Sequence, residues 1–161
     1  MKRILIATCA VLGTVASIGW FVIPDLINAI SRSRSKRTMA DIRAIAGAWE
    51  ARAESQKSYS VGIVPKGRVS REQRVSYSEL AAALTPTYIH SLPRNDAWGN
   101  EYQFTTAEYD DSGRAQSYAI RSLGSDALPD RRAIAQGESE SLTADIIYAD
   151  GSFIQYPHGA G

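Results

Sequence analysis

Residues 4–23, ILIATCAVLGTVASIGWFVI, carry no charge over twenty positions and are closed by Pro24-Asp25. At ~1.5 Å per residue a helix of this length covers roughly 30 Å, the thickness of a bilayer's hydrocarbon core. Beyond Pro24 the helical spacing continues: Leu26, Ile27, Ile30, Met39, Ile42, Ile45, Ala46, Trp49 and Ala53 recur every three or four residues on one face. The pattern predicts one long helix, with residues 1–24 as a transmembrane segment and 25–57 as its amphipathic continuation. A cleavable signal peptide would need a shorter apolar core and a small-residue junction. Here the run passes unbroken through Trp20-Phe21-Val22-Ile23. Cys9 reads as a small apolar side chain.

With 161 residues, the chain has room after this helix for one domain, spanning 58–161. The net charge of +1 hides an asymmetry. Residues 1–60 carry nine Lys/Arg against four Asp/Glu, and residues 61–161 carry nine against thirteen. A single cysteine excludes an internal disulfide and any Cys-based zinc site. The densest charge run is Ser31-Arg32-Ser33-Arg34-Ser35-Lys36-Arg37. It reads as a solvated helix face beside anionic headgroups. By the positive-inside rule it favours a cytoplasmic domain.

After Ser58 the periodicity lapses, and Gly62, Pro65 and Gly67 mark a loop. Ser76 or Ser78 can then cap a short helix with Glu79 in its first turn and Leu80 to Leu84 following, ending before Pro86. A turn-rich loop, Arg94-Asn95-Asp96-Ala97-Trp98-Gly99-Asn100, surrounds a large aromatic that serves best as a packing anchor. Strands are expected over 101–106, 116–121 and 145–156, the last folding back at Asp150-Gly151. Chemistry is scarce: His90 and His158 stand alone, and no catalytic triad, phosphate loop or HExxH helix occurs. No enzymatic activity is expected. Asp126 and Asp130, in the stretch LGSDALPD of residues 123–130, offer hard oxygen ligands of the kind Ca²⁺ takes.

Taken together, Leu92-Pro93, Asp96-Ala97-Trp98-Gly99 with Tyr102, Ser122-Leu123-Gly124-Ser125-Asp126 and Ala144-Asp145-Ile146 resemble the major pseudopilins of type II secretion systems, relatives of type IV pilins. The resemblance spans most of the chain from Pro24 to Asp145. It implies an α+β, pilin-like fold: a long N-terminal helix, its first half transmembrane, packed on a small antiparallel β-sheet. It implies a structural, non-enzymatic subunit of a secretion pseudopilus or its assembly complex. Its partners would be copies of itself or other pilin-like subunits, the secretion machinery and the inner membrane, with no nucleic acid. It places the domain in the periplasm of a single-pass inner-membrane protein, against the vote of the basic run. It also implies a structural Ca²⁺ held by Asp126, by carbonyls of Leu123 and Leu128, and by Asp130 as the nearest match to a second aspartate.

Departures from the family set the alternative. The family's leader-peptidase junction, Gly-Phe, would fall near Lys2-Arg3, and its early glutamate near Ala7. Neither is present, so no leader cleavage is expected, and a non-polymerising membrane-tethered binding or accessory domain is the second reading. Ala127 also stands where the family carries glycine after the aspartate.

Overall fold

In the computed structural model, the described residues are 2–62, 72–130 and 137–159, with side chains described from 25 onward. The chain is α+β, with one long helix laid across a six-stranded sheet. Helix α1, Lys2–Gln56, is continuous over 55 residues. From Ser35 onward one stripe of it is buried: Met39, Ile42, Ile45, Ala46, Trp49 and Ala53, the residues whose spacing announced the helix. The predicted limit of the helix at 57 falls one residue beyond Gln56.

The placement in the membrane is corrected. Among the described residues no helix is long and apolar enough to cross a bilayer. From Asp25 on, α1 carries Arg32, Arg34, Lys36, Arg37, Asp41, Arg43, Glu50, Arg52 and Glu54, a density of charge that hydrocarbon does not accept. The side chains of residues 1–24, and with them the uncharged run of 4–23, lie outside the described residues. The single-pass inner-membrane assignment, with its transmembrane first half of the helix and periplasmic domain, is therefore overturned.

Seven further elements follow α1. Strand β1, Gln73–Val75, leads into helix α2, Tyr77–Leu84, whose N-cap is Ser76. Ser76 Oγ accepts the Glu79 N–H while Glu79 Oε2 accepts the Ser76 N–H at 3.0 Å, a reciprocal capping box. Strands β2, Gln103–Tyr109, and β3, Ala115–Ser122, pair as an antiparallel hairpin. Its turn is tied by Asp110 Oδ1, which accepts N–H bonds from Ser112 and Arg114. Buried residues alternate along both strands: Phe104 and Thr106 on β2, Tyr118, Ile120 and Ser122 on β3.

Strands β5, Ile146–Ala149, and β6, Ser152–Pro157, form the hairpin expected at Asp150-Gly151, both of which take positive φ, 46° and 91°. That pair of left-handed residues matches the right-handed twist of the strands. Between β3 and β5 the chain makes one more strand that, like β1, the sequence did not announce. β4, Gly137–Ser139, lies parallel to β6 at the sheet's edge, giving the order β1-β2-β3-β5-β6-β4. The sheet is thus mixed rather than wholly antiparallel. Three polar-flanked residues suffice for an edge strand, but they are too few to show a period.

The core lies between α1 and the inner face of the sheet. Trp49 meets Tyr118 at 5.0 Å and the edge of Phe104 at 6.2 Å, and its indole N–H donates to Tyr59 O at 3.0 Å. Tyr59 stacks on Tyr118 at 4.6 Å, which fastens the segment leaving the helix back onto β3. The Tyr118 hydroxyl donates to Glu50 Oε1. Burial first, and then that carboxylate, raise the hydroxyl well above the ordinary tyrosine range.

Candidate functional site: the loop 123–130 and its anchor

The segment proposed to hold an ion leaves β3 at Ser122 and turns at Gly124. A Cβ at Gly124 would meet Thr143 O at 2.8 Å and Ala144 O at 3.0 Å, so the backbone here passes too close to its neighbour for any side chain. Leu123 is half-buried, and Asp126 and Leu128 are exposed. Asp126 Oδ1 accepts the Leu128 N–H at 3.1 Å. Between them Ala127 sits at φ 57°, the left-handed conformation that glycine takes at lower cost.

Asp130 does not turn toward Asp126. Its Oδ2 accepts the Asp145 N–H at 3.2 Å and the Gln155 side-chain amide at 2.8 Å. In return its own N–H donates to Asp145 Oδ2 at 3.0 Å. Asp145 is fully buried, and Oδ2 also accepts from Arg121 Nε at 2.6 Å and from Nη2. Its Oδ1 is buried without a hydrogen-bond partner among the described residues. Burial lifts the Asp145 carboxyl above its ordinary value, while the Asp130 amide and the Arg121 guanidinium pull the other way.

Calcium takes six to eight oxygens. Of the four predicted ligands, Leu123 and Leu128 could offer only carbonyls, Asp126 is occupied with its own turn, and Asp130 is engaged by Asp145 and Gln155. Among the described residues no group of three or more His, Cys, Asp or Glu side chains is placed to hold a metal ion. With Asp130 turned to Asp145 and Gln155, the remaining donors, the Asp126 carboxylate and the carbonyls of Leu123 and Leu128, supply at most four of those oxygens. The loop's ends are held to the sheet by Arg121 and by the Asp130–Asp145 pair. Arg121 and Gln155 went unnoticed because each is one polar residue on a strand, and only the register brings them beside Asp145. The Ala144-Asp145-Ile146 triplet was legible as a motif, without its partner.

A second buried aspartate organises the Trp98 loop. Asp96 Oδ1 accepts the N–H groups of Trp98 and Asn100, each at 2.9 Å, and Oδ2 accepts the Ser122 hydroxyl at 2.6 Å. Thr38 on α1 accepts the Ala97 N–H at 3.1 Å, and Asn100 donates to Gly124 O at 2.6 Å. Helix, loop and the start of residues 123–130 are thereby joined in one network. Trp98 packs against the core as a partly buried anchor, as expected.

Compared with known proteins, the chain matches no family model, no curated protein and no solved structure. Its features have to be weighed by themselves. His90 and His158 are exposed, and His158 Nδ1 lies 3.1 Å from Glu138 Oε1. The outer face of the sheet is a shallow concavity of about 490 Å³ floored by Thr105, Ala107, Ser117 and Ala119, with Arg74 and Arg121 at its sides. The remaining prominent surface is α1 itself. Leu26, Ile27 and Ile30 stand exposed on it, ahead of the part that the sheet covers.

Proposed function

We propose that the protein is a non-enzymatic structural subunit of the pilin-like kind, assembled through α1 with copies of itself or with related subunits, in a type II secretion pseudopilus or its assembly complex. The observation that carries this reading is the mismatch between the helix and its own domain. Among the described side chains of α1, which start at Asp25, those buried against the domain begin at Ser35. The turns just before expose Leu26 at 57%, Ile27 at 57% and Ile30 at 45%. Contiguous exposed apolar side chains on a long helix suit association with another helix. The domain, by contrast, is tied together by its own buried aspartates and aromatics, as a rigid body carried on such a helix would be. The test is sedimentation velocity on the full chain and on the Leu26→Glu/Ile30→Glu variant. Concentration-dependent association that the variant loses is the expected result. A full chain that stays monomeric at every concentration would favour an accessory domain that keeps the fold without assembling.

A further inference from the structure

The β3–β5 register sets Arg121 opposite Ile147. Asp145, two residues before Ile147, is therefore its diagonal neighbour, within reach of a side chain as long as arginine's. Asp145 is fully buried, and a carboxylate so placed needs a cation beside it. The guanidinium takes that position. Its Nε donates to Asp145 Oδ2 at 2.6 Å, Nη2 donates to the same oxygen, and Nη2 also reaches Asp130 O at 3.4 Å. A carboxylate and a backbone carbonyl are oxygens of the kind a hard metal ion collects. Here a side chain of the protein collects them.

The other oxygens of the excursion between β3 and β5 are answered by N–H donors. Gly124 O accepts from Asn100 Nδ2 at 2.6 Å, and Asp126 Oδ1 accepts the Leu128 N–H at 3.1 Å. Asp130 Oδ2 accepts both the Asp145 N–H and the Gln155 side-chain amide. Asp145 Oδ1 is the one buried carboxylate oxygen here without a partner among the described residues. A dication that met it would stand beside the Arg121 guanidinium, and like charges repel strongly where water is excluded. It would also have to draw its remaining ligands from oxygens that already accept hydrogen bonds.

We infer that Arg121 is a built-in cation standing in the place of a divalent metal ion: it holds the ends of the excursion without calcium and itself keeps calcium out. The structural Ca²⁺ expected at Leu123, Asp126, Leu128 and Asp130 is replaced by a guanidinium that comes from the neighbouring strand. The stability of the domain is then indifferent to the calcium level around it. The inference goes beyond the function proposed above and does not depend on it, since it concerns the domain whether or not chains associate. It also makes the two cations alternatives. With Arg121 present a metal ion finds one open oxygen, whereas its removal releases Asp145 Oδ2 and the Asp130 carbonyl together.

The experiment compares the full chain with Arg121→Ala and Arg121→Lys, each in millimolar calcium and in chelator. Equilibrium dialysis should find no calcium bound to the parent protein, and its thermal midpoint should be the same in both solutions. Arg121→Ala should unfold several degrees lower in chelator, because a buried carboxylate is left uncompensated, and calcium should restore part of that loss. Arg121→Lys keeps a positive charge beside Asp145 and should remain indifferent to calcium. A parent protein that binds calcium, or whose midpoint falls on chelation, would overturn the inference, and these two readings decide it even where Arg121→Ala does not fold. A folded Arg121→Ala protein with the same midpoint in calcium as in chelator would overturn it too, since the guanidinium would then not be what excludes the ion.

Discussion

Asp130 and Asp145 hold each other by their own backbones: the Oδ2 atom of each accepts the amide N–H of the other, at 3.2 and 3.0 Å. The two residues open and close the excursion that contains β4, so this exchange fixes where that excursion leaves and rejoins the sheet. It places a carboxylate in the interior, and Arg121 is the cation that answers it.

Replacing Arg121 by Leu should therefore destabilise the protein by about 3–5 kcal/mol, because the buried Asp145 carboxylate loses its counter-charge. Equilibrium unfolding in urea measures it. The Arg121→Leu/Asp145→Asn double variant should recover part of the loss. A single-variant effect below about 1 kcal/mol would mean that the pair is solvated like an ordinary surface bridge.

Ala127→Gly should stabilise the fold by roughly 0.5–1 kcal/mol. The left-handed conformation penalises a Cβ by ~1–2 kcal/mol, and glycine's extra freedom in the unfolded chain takes back part of that gain. The midpoint of thermal unfolding should rise. A fall would show that the alanine methyl makes a contact worth more than the backbone strain.

Asp96→Ala removes the acceptor of two backbone N–H groups and a hydroxyl in a buried setting, at a cost of about 2–4 kcal/mol. The loss should be accompanied by a red shift of Trp98 emission as its loop loosens, best read in a variant with Trp20 and Trp49 replaced by Phe. Asp96→Asn, which keeps a carbonyl oxygen, should cost less. Equal losses in the two variants would argue that charge, not the accepted bonds, is what matters.

The α2 cap should weaken in acid. The Ser76 hydroxyl and backbone N–H both bond the Glu79 carboxylate and hold it below the usual range. A depressed carboxylate contributes stability that is present above its unfolded pKa and is lost as pH falls through the lowered folded value. Amide exchange at Ser76 and Glu79 should therefore quicken, relative to the core, as pH drops below about 4. In Glu79→Gln this pH dependence should vanish. Its persistence would place the titrating group elsewhere.

What could be read from the sequence was whatever repeats. The buried stripe of α1 follows a period that six of the nine spaced residues, Met39 to Ala53, declare, while Leu26, Ile27 and Ile30 stay exposed, and the β2–β3 and β5–β6 hairpins are announced by their turns. The start of α2 was narrowed to Ser76 or Ser78, and the structure selects Ser76 through its reciprocal bonds with Glu79. Residues whose meaning depends on a distant partner were not legible. Arg121 meets Asp145 across the β3–β5 pairing, and Gln155 meets Asp130 across 25 positions. The acidic look of 123–130 suggested a cation, and a cation is indeed found at its foot, but it is the guanidinium of a neighbouring strand. The uncharged run of 4–23 dominated the reading of place and lies where the structure describes no side chains.

The position of β4 also has a consequence in time. Its partner β6 is made after it, and β5, the other neighbour of β6, is separated from it only by a two-residue turn. A chain emerging from the ribosome therefore completes residues 137–139 while the template they need has not been synthesised. The β2–β3 hairpin can close early, whereas the far edge of the sheet must wait for β6 to fold back. Until then the helix is covered on one flank only, and the nascent domain is held by its older half.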